Sequence, residues 1–237
     1  MDTTTALSHA QVPRMALMSG ARRIASSELT PIVCVVDDDV SVRESLAALI
    51  TSAGYRSEMF ESAEDFLAHP RTRLTGCLVL DVSLPDLNGL ELQRRLANQD
   101  ALPIIFITGY GDIPMSVRAM KAGAVEFLTK PYGPEVILGA IANAVARSRA
   151  TLQARESFRG LRERFDSLTL RERQVMALVV RGLLNKQVGG DLGISEITVK
   201  AHRGRAMTKV GARSLPELVN MADRLGLPTA GKGLEAK

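Results

Sequence analysis

Four apolar stretches in the first part of the chain each end in a side chain that can do chemistry. The residues at these ends are Asp37, Asp38 and Asp39, then Asp81, then Thr108 followed by Gly109, and finally Lys130. Carboxylates brought together repel one another, and a hard divalent cation with oxygen ligands, most simply Mg²⁺, relieves that repulsion. A lysine and a hydroxyl beside them supply hydrogen-bond donors to phosphoryl oxygens. The set predicts that Asp81 accepts a phosphoryl group as an aspartyl phosphate.

The elements that must position these residues are predicted from hydrophobic periodicity. Five apolar runs alternate with helical stretches, which implies a parallel sheet with helices on both faces. The runs are residues 31–36, 55–60, 76–80, 102–108 and 124–129. Ligands bind such sheets outside the carboxyl ends of the strands, so the four sets of side chains are expected to meet. Pro85 and Gly89 are expected to bend the following loop away from Asp81. Ser41 and Glu44 form a capping-box pattern for the first helix.

Four segments of this region carry a family resemblance: "VVDDD", "LVLDVSLPDLNGLEL", "FITGYGD" and "VRAMKAGAVEFLTKP". They resemble the receiver domain of two-component response regulators, in the style of the FixJ type, over about residues 31–147. The resemblance implies an α/β receiver with a five-stranded parallel, doubly wound, flavodoxin-like sheet. It implies that Asp81 is the phosphoacceptor and that Phe127 is the aromatic switch residue. The phosphate-sensing positions are Thr108, Gly109 and Lys130.

The same resemblance implies a magnesium site. Asp38 matches a direct ligand of Mg²⁺, Asp37 a ligand acting largely through water, and the backbone carbonyl of Ser83 a third protein ligand beside Asp81. It also implies a cis peptide bond between Lys130 and Pro131, against a base rate of about 5–6% for X–Pro bonds. For the aspartate triplet alone, helix capping is an equally good explanation.

The charge distribution predicts two parts with different partners. Residues 1–150 carry 14 Lys and Arg against 17 Asp and Glu, a net charge of −3, whereas residues 151–237 carry 16 against 9, a net charge of +7. A basic second part favours nucleic acid as its partner. The longest apolar runs fall short of the roughly 20 residues of a membrane helix, so we expect no membrane contact and a cytoplasmic location. Cys34 and Cys77 lie in apolar runs and are expected to be buried thiols.

The second part is predicted to be all-α. Residues 146–167 read as a helical linker that continues the fifth helix, and Thr169 with Glu172 forms a capping box for the next one. A short helix, a turn at Gly193 and a basic helix then make a helix–turn–helix, whose second helix enters the major groove of DNA. Ser195 is expected to begin that helix and Gly211 to end it.

The segment "LTLRERQVMALVVRGLLNKQVGGDLGISEITVKAHRGRAMTKVGARS" resembles the LuxR/NarL-type helix–turn–helix, over about residues 167–227. The candidate DNA contacts are Thr198, Lys200, Ala201, Arg203, Arg205 and Lys209. The resemblance implies that Lys200 and Ala201 face bases and that Arg203 contacts bases or backbone. Gly204 departs from the pattern, because some relatives carry a basic side chain there.

A second departure is the pair Gly189 and Gly190, which replaces two alanines expected in the scaffold helix. Each glycine costs roughly 1 kcal/mol in helix propensity. We therefore predict that changing both to alanine raises the thermal midpoint of unfolding.

These observations predict five segments. They are a flexible tail over 1–30, a receiver over 31–147, a helical linker over 148–166, a helix–turn–helix domain over 167–228 and a flexible tail over 229–237. The predicted function is a transcriptional regulator that receives phosphate on Asp81 from a sensor histidine kinase, forms a homodimer when phosphorylated and binds double-stranded promoter DNA. RNA polymerase is a further expected partner. The chain is not expected to be an enzyme, beyond supporting its own phosphotransfer and dephosphorylation.

Three alternatives belong to other classes. A receiver that serves only dimerisation, with DNA binding independent of phosphate, is the nearest. An aspartyl-nucleophile phosphatase usually carries a second acid two residues after the nucleophile, where this chain has Ser83. A dinucleotide-binding enzyme is disfavoured because "TGYGDIP" lacks the third glycine of the fingerprint.

Overall fold

The computed structural model describes residues 30–69, 75–96 and 102–230. The predicted N-terminal tail therefore lies outside the described residues except for Thr30, and the C-terminal tail is described only at Thr229 and Ala230. The Thr229 side chain is buried, and the N–H of the exposed residue Ala230 donates to the Val180 carbonyl at 3.2 Å. These two residues thus contact the helical domain.

Residues 31–166 contain a five-stranded parallel sheet in the order β2-β1-β3-β4-β5, the flavodoxin-like order of doubly wound folds. The strands are β1 (Ile32–Val36), β2 (Arg56–Phe60), β3 (Gly76–Asp81), β4 (Ile104–Thr108) and β5 (Glu126–Thr129). The helices are α1 (Val40–Ser52), α2 (Ala63–Ala68), α3 (Gly89–Leu96), α4 (Ile113–Lys121) and α5 (Pro134–Asp166). The predicted α/β fold is confirmed.

Two apolar cores hold the helices on the two faces of this sheet. Side chains alternate between faces along each strand, so Val36 points into one core and Val35 into the other. The first core takes in α2, α3 and α4, with Phe66 and Leu92 fully buried. The second takes in α1 and α5, with Ile141 buried at its centre. The three central strands are buried on both faces, which is why they read as continuous apolar runs.

The first helix begins one residue after Asp39, not at Ser41. The Asp39 side chain accepts a hydrogen bond from the Ser41 N–H at 2.8 Å, and α1 starts at Val40. The capping prediction for Ser41 was wrong because the last residue of the aspartate triplet is itself a strong N-cap.

The second part of the chain packs four short helices against the end of α5. They are α6 (Leu170–Val179), α7 (Asn185–Leu192), α8 (Glu196–Val210) and α9 (Leu215–Arg224). Phe165, near the end of α5, packs on their common core, and the Arg224 guanidinium donates to the Ser157 hydroxyl at 3.0 Å. The helix α5 runs without a break from the sheet to this domain and includes the whole predicted linker.

Local signals predicted the ends of these helices. The capping box of Thr169 and Glu172 is present, Ser195 caps α8, and Gly211 ends α8 at a φ of +84°. Gly193 adopts a φ of +64° in the turn between α7 and α8. None of the helices within the described ranges combines the length and apolarity needed to cross a bilayer.

One of the two glycines of α7 has a structural cause. A Cβ on Gly189 would lie 2.7 Å from the backbone oxygen of Ile194, whereas no atom outside its own helix and neighbours in the described structure lies within 4 Å of a Cβ on Gly190. Gly189 therefore lets the turn approach α7 closely. This packing argues against the prediction that alanine at both positions stabilises the domain, since it applies to Gly189.

Candidate functional site

The predicted site residues converge at the carboxyl edge of the sheet. Asp81 is the last residue of β3, and Asp37 and Asp38 follow β1, which pairs with β3 in parallel. One carboxylate oxygen each from Asp37, Asp38 and Asp81 lies within 4.8 Å of the others. Asp37 is fully buried and Asp81 is 5% exposed, whereas Asp38 is exposed to solvent. The three acids thus form a small cup with one open side.

Lys130 supplies the positive charge of the site. Its ammonium donates to the Asp37 carboxylate at 2.7 Å and lies 3.9 Å from Oδ1 of Asp81. The Lys130–Pro131 peptide bond is cis, as predicted. One lysine faces three carboxylates, so the cup retains net negative charge. Oxygen ligands of this kind suit a hard cation such as Mg²⁺.

The Asp81 carboxyl is held in an environment that disfavours its charge. Burial raises its pKa above the ordinary value and nearby Asp37 acts in the same direction, while the Lys130 ammonium and the backbone N–H groups of Ser83 and Val82 lower it. Oδ1 of Asp81 is buried and accepts no hydrogen bond from any residue in the described ranges. Buried polar atoms are normally satisfied, so this oxygen is suited to bind a cation or to attack an electrophile.

Two side chains that the sequence reasoning missed also shape the cup. The Arg43 guanidinium donates to the backbone oxygens of Asp37 and Asp38 at 2.7 and 3.0 Å, which fixes the loop after β1. Tyr132 is half-buried beside the acids, and burial together with Asp37 and Asp81 raises its pKa to about 12. A sequence pattern could point to Tyr132 only by its place two residues after Lys130.

The predicted sensing residues lie on β4 and β5. The Thr108 hydroxyl is buried; it donates to the Tyr110 carbonyl and accepts from the Tyr110 N–H, both at 3.2 Å. Gly109 is exposed, with open space where its side chain would be. Phe127 is half-buried and packs 6.2 Å from Phe106, between ring centroids.

Ser83 lies in the loop after β3, where its side chain is exposed and its backbone N–H helps to lower the pKa of the Asp81 carboxyl. The Gly89 N–H donates to the Val82 carbonyl at 3.0 Å, so the loop closes on itself and α3 begins. A Cβ on Gly89 would lie 2.5 Å from the Asp81 carbonyl oxygen. Gly89 is therefore required for the close turn behind the phosphoacceptor candidate.

The predicted DNA contacts lie on α8, the second helix of the helix–turn–helix. Lys200, Ala201 and Arg205 are exposed. Arg203 leans towards α7, with Nη1 3.5 Å from Oδ1 of Asn185. Thr198 is partly buried, with its N–H 3.2 Å from the Ser195 hydroxyl that caps the helix.

Lys209 is exposed, but its ammonium is paired with an acid of α6. Its ammonium donates to the buried Glu172 carboxylate at 2.7 Å, and this hydrogen bond, with one from the Thr169 backbone, lowers the pKa of Glu172. Lys209 thereby ties the end of α8 to the capping box of α6. The sequence prediction did not anticipate this pair.

Two family models match the chain. The response regulator receiver domain matches residues 33–142, and the luxR family of bacterial regulatory proteins matches residues 166–222. With the sheet order and the helix–turn–helix described above, these matches define the class: the chain belongs to the two-component response regulators that carry a LuxR-type DNA-binding domain, a family of transcription regulators.

Individual relatives cover most of the chain. Nodulation protein W of Bradyrhizobium diazoefficiens is 49% identical over 197 residues, which are 83% of this chain and 87% of that protein. The transcriptional regulatory protein FixJ of Rhizobium meliloti is 46% identical over 191 residues, 80% of this chain and 94% of that one. Among solved structures, the response regulator StyR is similar at a TM-score of 0.74 and 51% identity, covering 83% of this chain and all of that chain. The predicted family is confirmed.

Proposed function

We propose that this regulator is switched by phosphorylation of Asp81 by a sensor histidine kinase. The observation that carries the proposal is the buried Asp81 oxygen without a hydrogen bond, 3.9 Å from the Lys130 ammonium and inside the acid cup. A carboxylate oxygen of Asp81 forms the new bond to phosphorus, the bond from phosphorus to the histidine nitrogen breaks, and that imidazole leaves with its electron pair. Lys130 then pairs with the phosphoryl oxygens.

The acid cup fits a magnesium ion, which receiver domains bind at an acidic pocket. Asp37, Asp38, Asp81 and the carbonyl of Ser83 are the residues that we propose to hold it. A bound Mg²⁺ neutralises negative charge on the carboxylates and on the phosphoryl group. The chain's own contribution is to hold these oxygens together: Arg43 fixes the backbone of Asp37 and Asp38, and the Asp39 N–H donates to the Asp37 carboxylate at 3.0 Å.

We propose that Thr108, Gly109 and Phe127 sense the phosphoryl group. We expect the Thr108 hydroxyl to exchange its bonds with the Tyr110 backbone for a phosphoryl oxygen, with Gly109 leaving room for that group. Phe127 and Thr108 both face Gly111: a Cβ added to Gly111 would lie 3.0 Å from the Phe127 ring and 3.2 Å from the Thr108 methyl group. We therefore expect movement of Thr108 to be passed to the Phe127 ring through this shared space.

The consequences of phosphorylation are homodimerisation and promoter binding. Support for a protein-binding surface comes from α4, where Ile113, Val117 and Met120 are exposed apolar side chains at helical spacing. Two copies of α8 then contact a DNA site of two-fold character, through Thr198, Lys200, Ala201, Arg203 and Arg205, with Lys209 positioned by Glu172. RNA polymerase is a further proposed partner. The proposed location is the cytoplasm, where the chromosome is. The receiver also supports its own phosphotransfer and dephosphorylation.

The test is labelling with acetyl phosphate and Mg²⁺, followed by mass spectrometry of the intact protein. Asp81→Asn is expected to abolish the added phosphoryl group, because the attacking oxygen is lost from that position. Asp86→Asn is the matched control: Asp86 lies in the same loop but contacts the Glu64 N–H at 3.0 Å instead of the acid cup. Labelling of Asp81→Asn at the level of the wild type would place the acceptor elsewhere.

A further inference from the structure

The outward face of α8 carries an apolar strip in its centre. Ile197, Ala201, Gly204 and Thr208 follow one another at helical spacing and are all exposed, with Ile197 at 79%. Residues at i, i+4, i+7 and i+11 share one helix face. The opposite face holds Val199, Ala206 and Val210, which are buried in the domain core. The strip therefore points directly away from the protein.

Charged side chains border this strip but do not occupy it. Lys200 lies on one side, where its ammonium pairs with Glu196 at 3.1 Å, and Arg205 lies on the other. Arg203 is turned further round, towards Asn185 of α7. The basic residues thus stand where phosphates flank a groove, and the central line of the helix has no group that forms the bidentate hydrogen bonds of arginine to guanine.

Gly204 lies in the middle of the strip and has no side chain that would project from it. Outside its own helix, no atom of the described structure lies within 4 Å of a Cβ at this position, so the glycine is not required by packing within the domain. Without a side chain at 204, the backbone of α8 can lie closer to the floor of a groove. The apolar feature that the major groove offers is the C5-methyl group of thymine.

We propose that α8 reads double-stranded DNA chiefly through thymine methyl groups, contacted by Ile197 and Ala201, with Gly204 allowing the close approach. Ile197 is the second residue of α8, and the N-terminal part of a recognition helix is the part that reaches base edges. The occupant of the strip is the major groove because the bordering cations and the net charge of +7 on residues 151–237 complement phosphates. This inference rests on the proposed function in requiring that α8 binds DNA.

The experiment begins with selection of bound sites from random double-stranded DNA by the full chain, treated with acetyl phosphate and Mg²⁺. Each thymine of the selected site is then replaced by deoxyuracil, which keeps base pairing and removes only the methyl group. For at least one thymine in each half-site, affinity is expected to fall about fourfold, the effect of about 0.8 kcal/mol for one buried carbon.

Ile197→Ala supplies the second arm of a double-mutant cycle. In this variant the same thymine-to-deoxyuracil replacement is expected to cost little, because the partner of the methyl group is gone. Leu170→Ala is the matched control, since Leu170 is 72% exposed but lies on α6. It is expected to retain the full sensitivity to deoxyuracil. Gly204→Ala is expected to raise the thermal midpoint of unfolding and yet to weaken binding to the selected site.

Distinct results contradict the inference and the proposed function. If the wild type binds the deoxyuracil sites as tightly as the thymine sites, or if Ile197→Ala loses affinity equally on both, the inference is wrong while DNA binding stands. If Ile197→Ala leaves DNA binding unchanged and alters self-association, the strip binds a second copy instead. If selection enriches no sequence, both the inference and the DNA-binding function are contradicted.

Discussion

At the level of single residues, Asp81 carries a charge that the fold does not fully compensate. Its pKa is raised because burial and Asp37 outweigh the Lys130 ammonium, which is itself closer to Asp37. A raised carboxyl pKa stabilises the folded state below the pKa of the unfolded chain, about 3.9, and this contribution is lost as the pH rises through the folded value. At pH 7, ionised Asp81 therefore destabilises the receiver.

This gives a prediction about stability without metal. With a chelator at pH 7, Asp81→Asn is expected to unfold at a higher temperature than the wild type, because the variant has no buried charge at this position. Added Mg²⁺ is expected to raise the midpoint of the wild type more than that of the variant, since only the wild type offers the third carboxylate. Differential scanning calorimetry measures both. A lower midpoint for Asp81→Asn under chelation would show that the charge is compensated.

For the pair of Glu172 and Lys209, stability depends on pH in the opposite direction. The pKa of Glu172 is lowered, first by the hydrogen bond from Lys209, so its contribution to stability is present above the unfolded value, about 4.3, and is lost as pH falls through the folded one. Glu172→Gln is expected to lower the thermal midpoint at pH 7. Below about pH 4, the thermal midpoints of the variant and the wild type are expected to come closer together. A difference that is constant from pH 7 to 3 would contradict this account.

The chemistry-bearing residues could be predicted because each follows an apolar run, and the ends of parallel strands share one edge. Asp37, Asp81 and Lys130 were placed together on that ground. Arg43 and Tyr132 could not be placed at the site from the sequence, because an arginine on α1 or a tyrosine after Pro131 has many possible neighbours until the helices are packed. The pair of Lys209 and Glu172 could not be predicted either, because the position of Lys209 on α8 is visible in the sequence and its partner on α6 is not.

At the level of elements, α7 shows how packing overrides propensity. Gly190→Ala is expected to raise the thermal midpoint, with a gain of about 1 kcal/mol from helix propensity, because its Cβ would enter open space. Gly189→Ala is expected to lower it, because its Cβ would press on the Ile194 carbonyl at 2.7 Å. Each variant is the control for the other. Equal shifts of the same sign in thermal unfolding would contradict the packing explanation.

Element types followed from periodicity and caps, while their exact bounds did not. All five strands and the four helices of the second part could be predicted, since their apolar patterns are clear. The start of α1 could not be predicted, because three consecutive aspartates and a serine are all good N-caps, and the structure shows Asp39 in that role. Gly189 was misread because a close approach between a helix and its following turn leaves no periodic signal.

At the level of the whole molecule, one continuous helix links the two parts. The helix α5 begins under the sheet, where Ile137 and Ile141 are buried, and ends in the core of the helical domain at Phe165. Arg173 reinforces that end by donating to the Leu168 backbone at 3.1 Å and lying 5.3 Å over the Phe165 ring. Because this connection is helical rather than a flexible tether, α4 is the surface by which we propose that the signal leaves the receiver.

Self-association of the chain tests whether α4 is this surface. Acetyl phosphate with Mg²⁺ is expected to shift the sedimentation coefficient of the wild type from monomer to dimer. Val117→Glu is expected to weaken the dimer at least tenfold, since a buried unpaired charge costs more than the 1.4 kcal/mol of a tenfold change, while leaving labelling of Asp81 intact. Val136→Glu, at an exposed valine on α5, is the control. A dimer that survives Val117→Glu would move the interface away from α4.

The most direct test of the central claim is the affinity for a selected DNA site before and after treatment with acetyl phosphate and Mg²⁺. Treatment is expected to tighten binding by the wild type at least tenfold, about 1.4 kcal/mol, and to leave the affinity of Asp81→Asn unchanged. Equal affinity of the treated and untreated wild type would contradict it, and would favour a receiver that dimerises without phosphate.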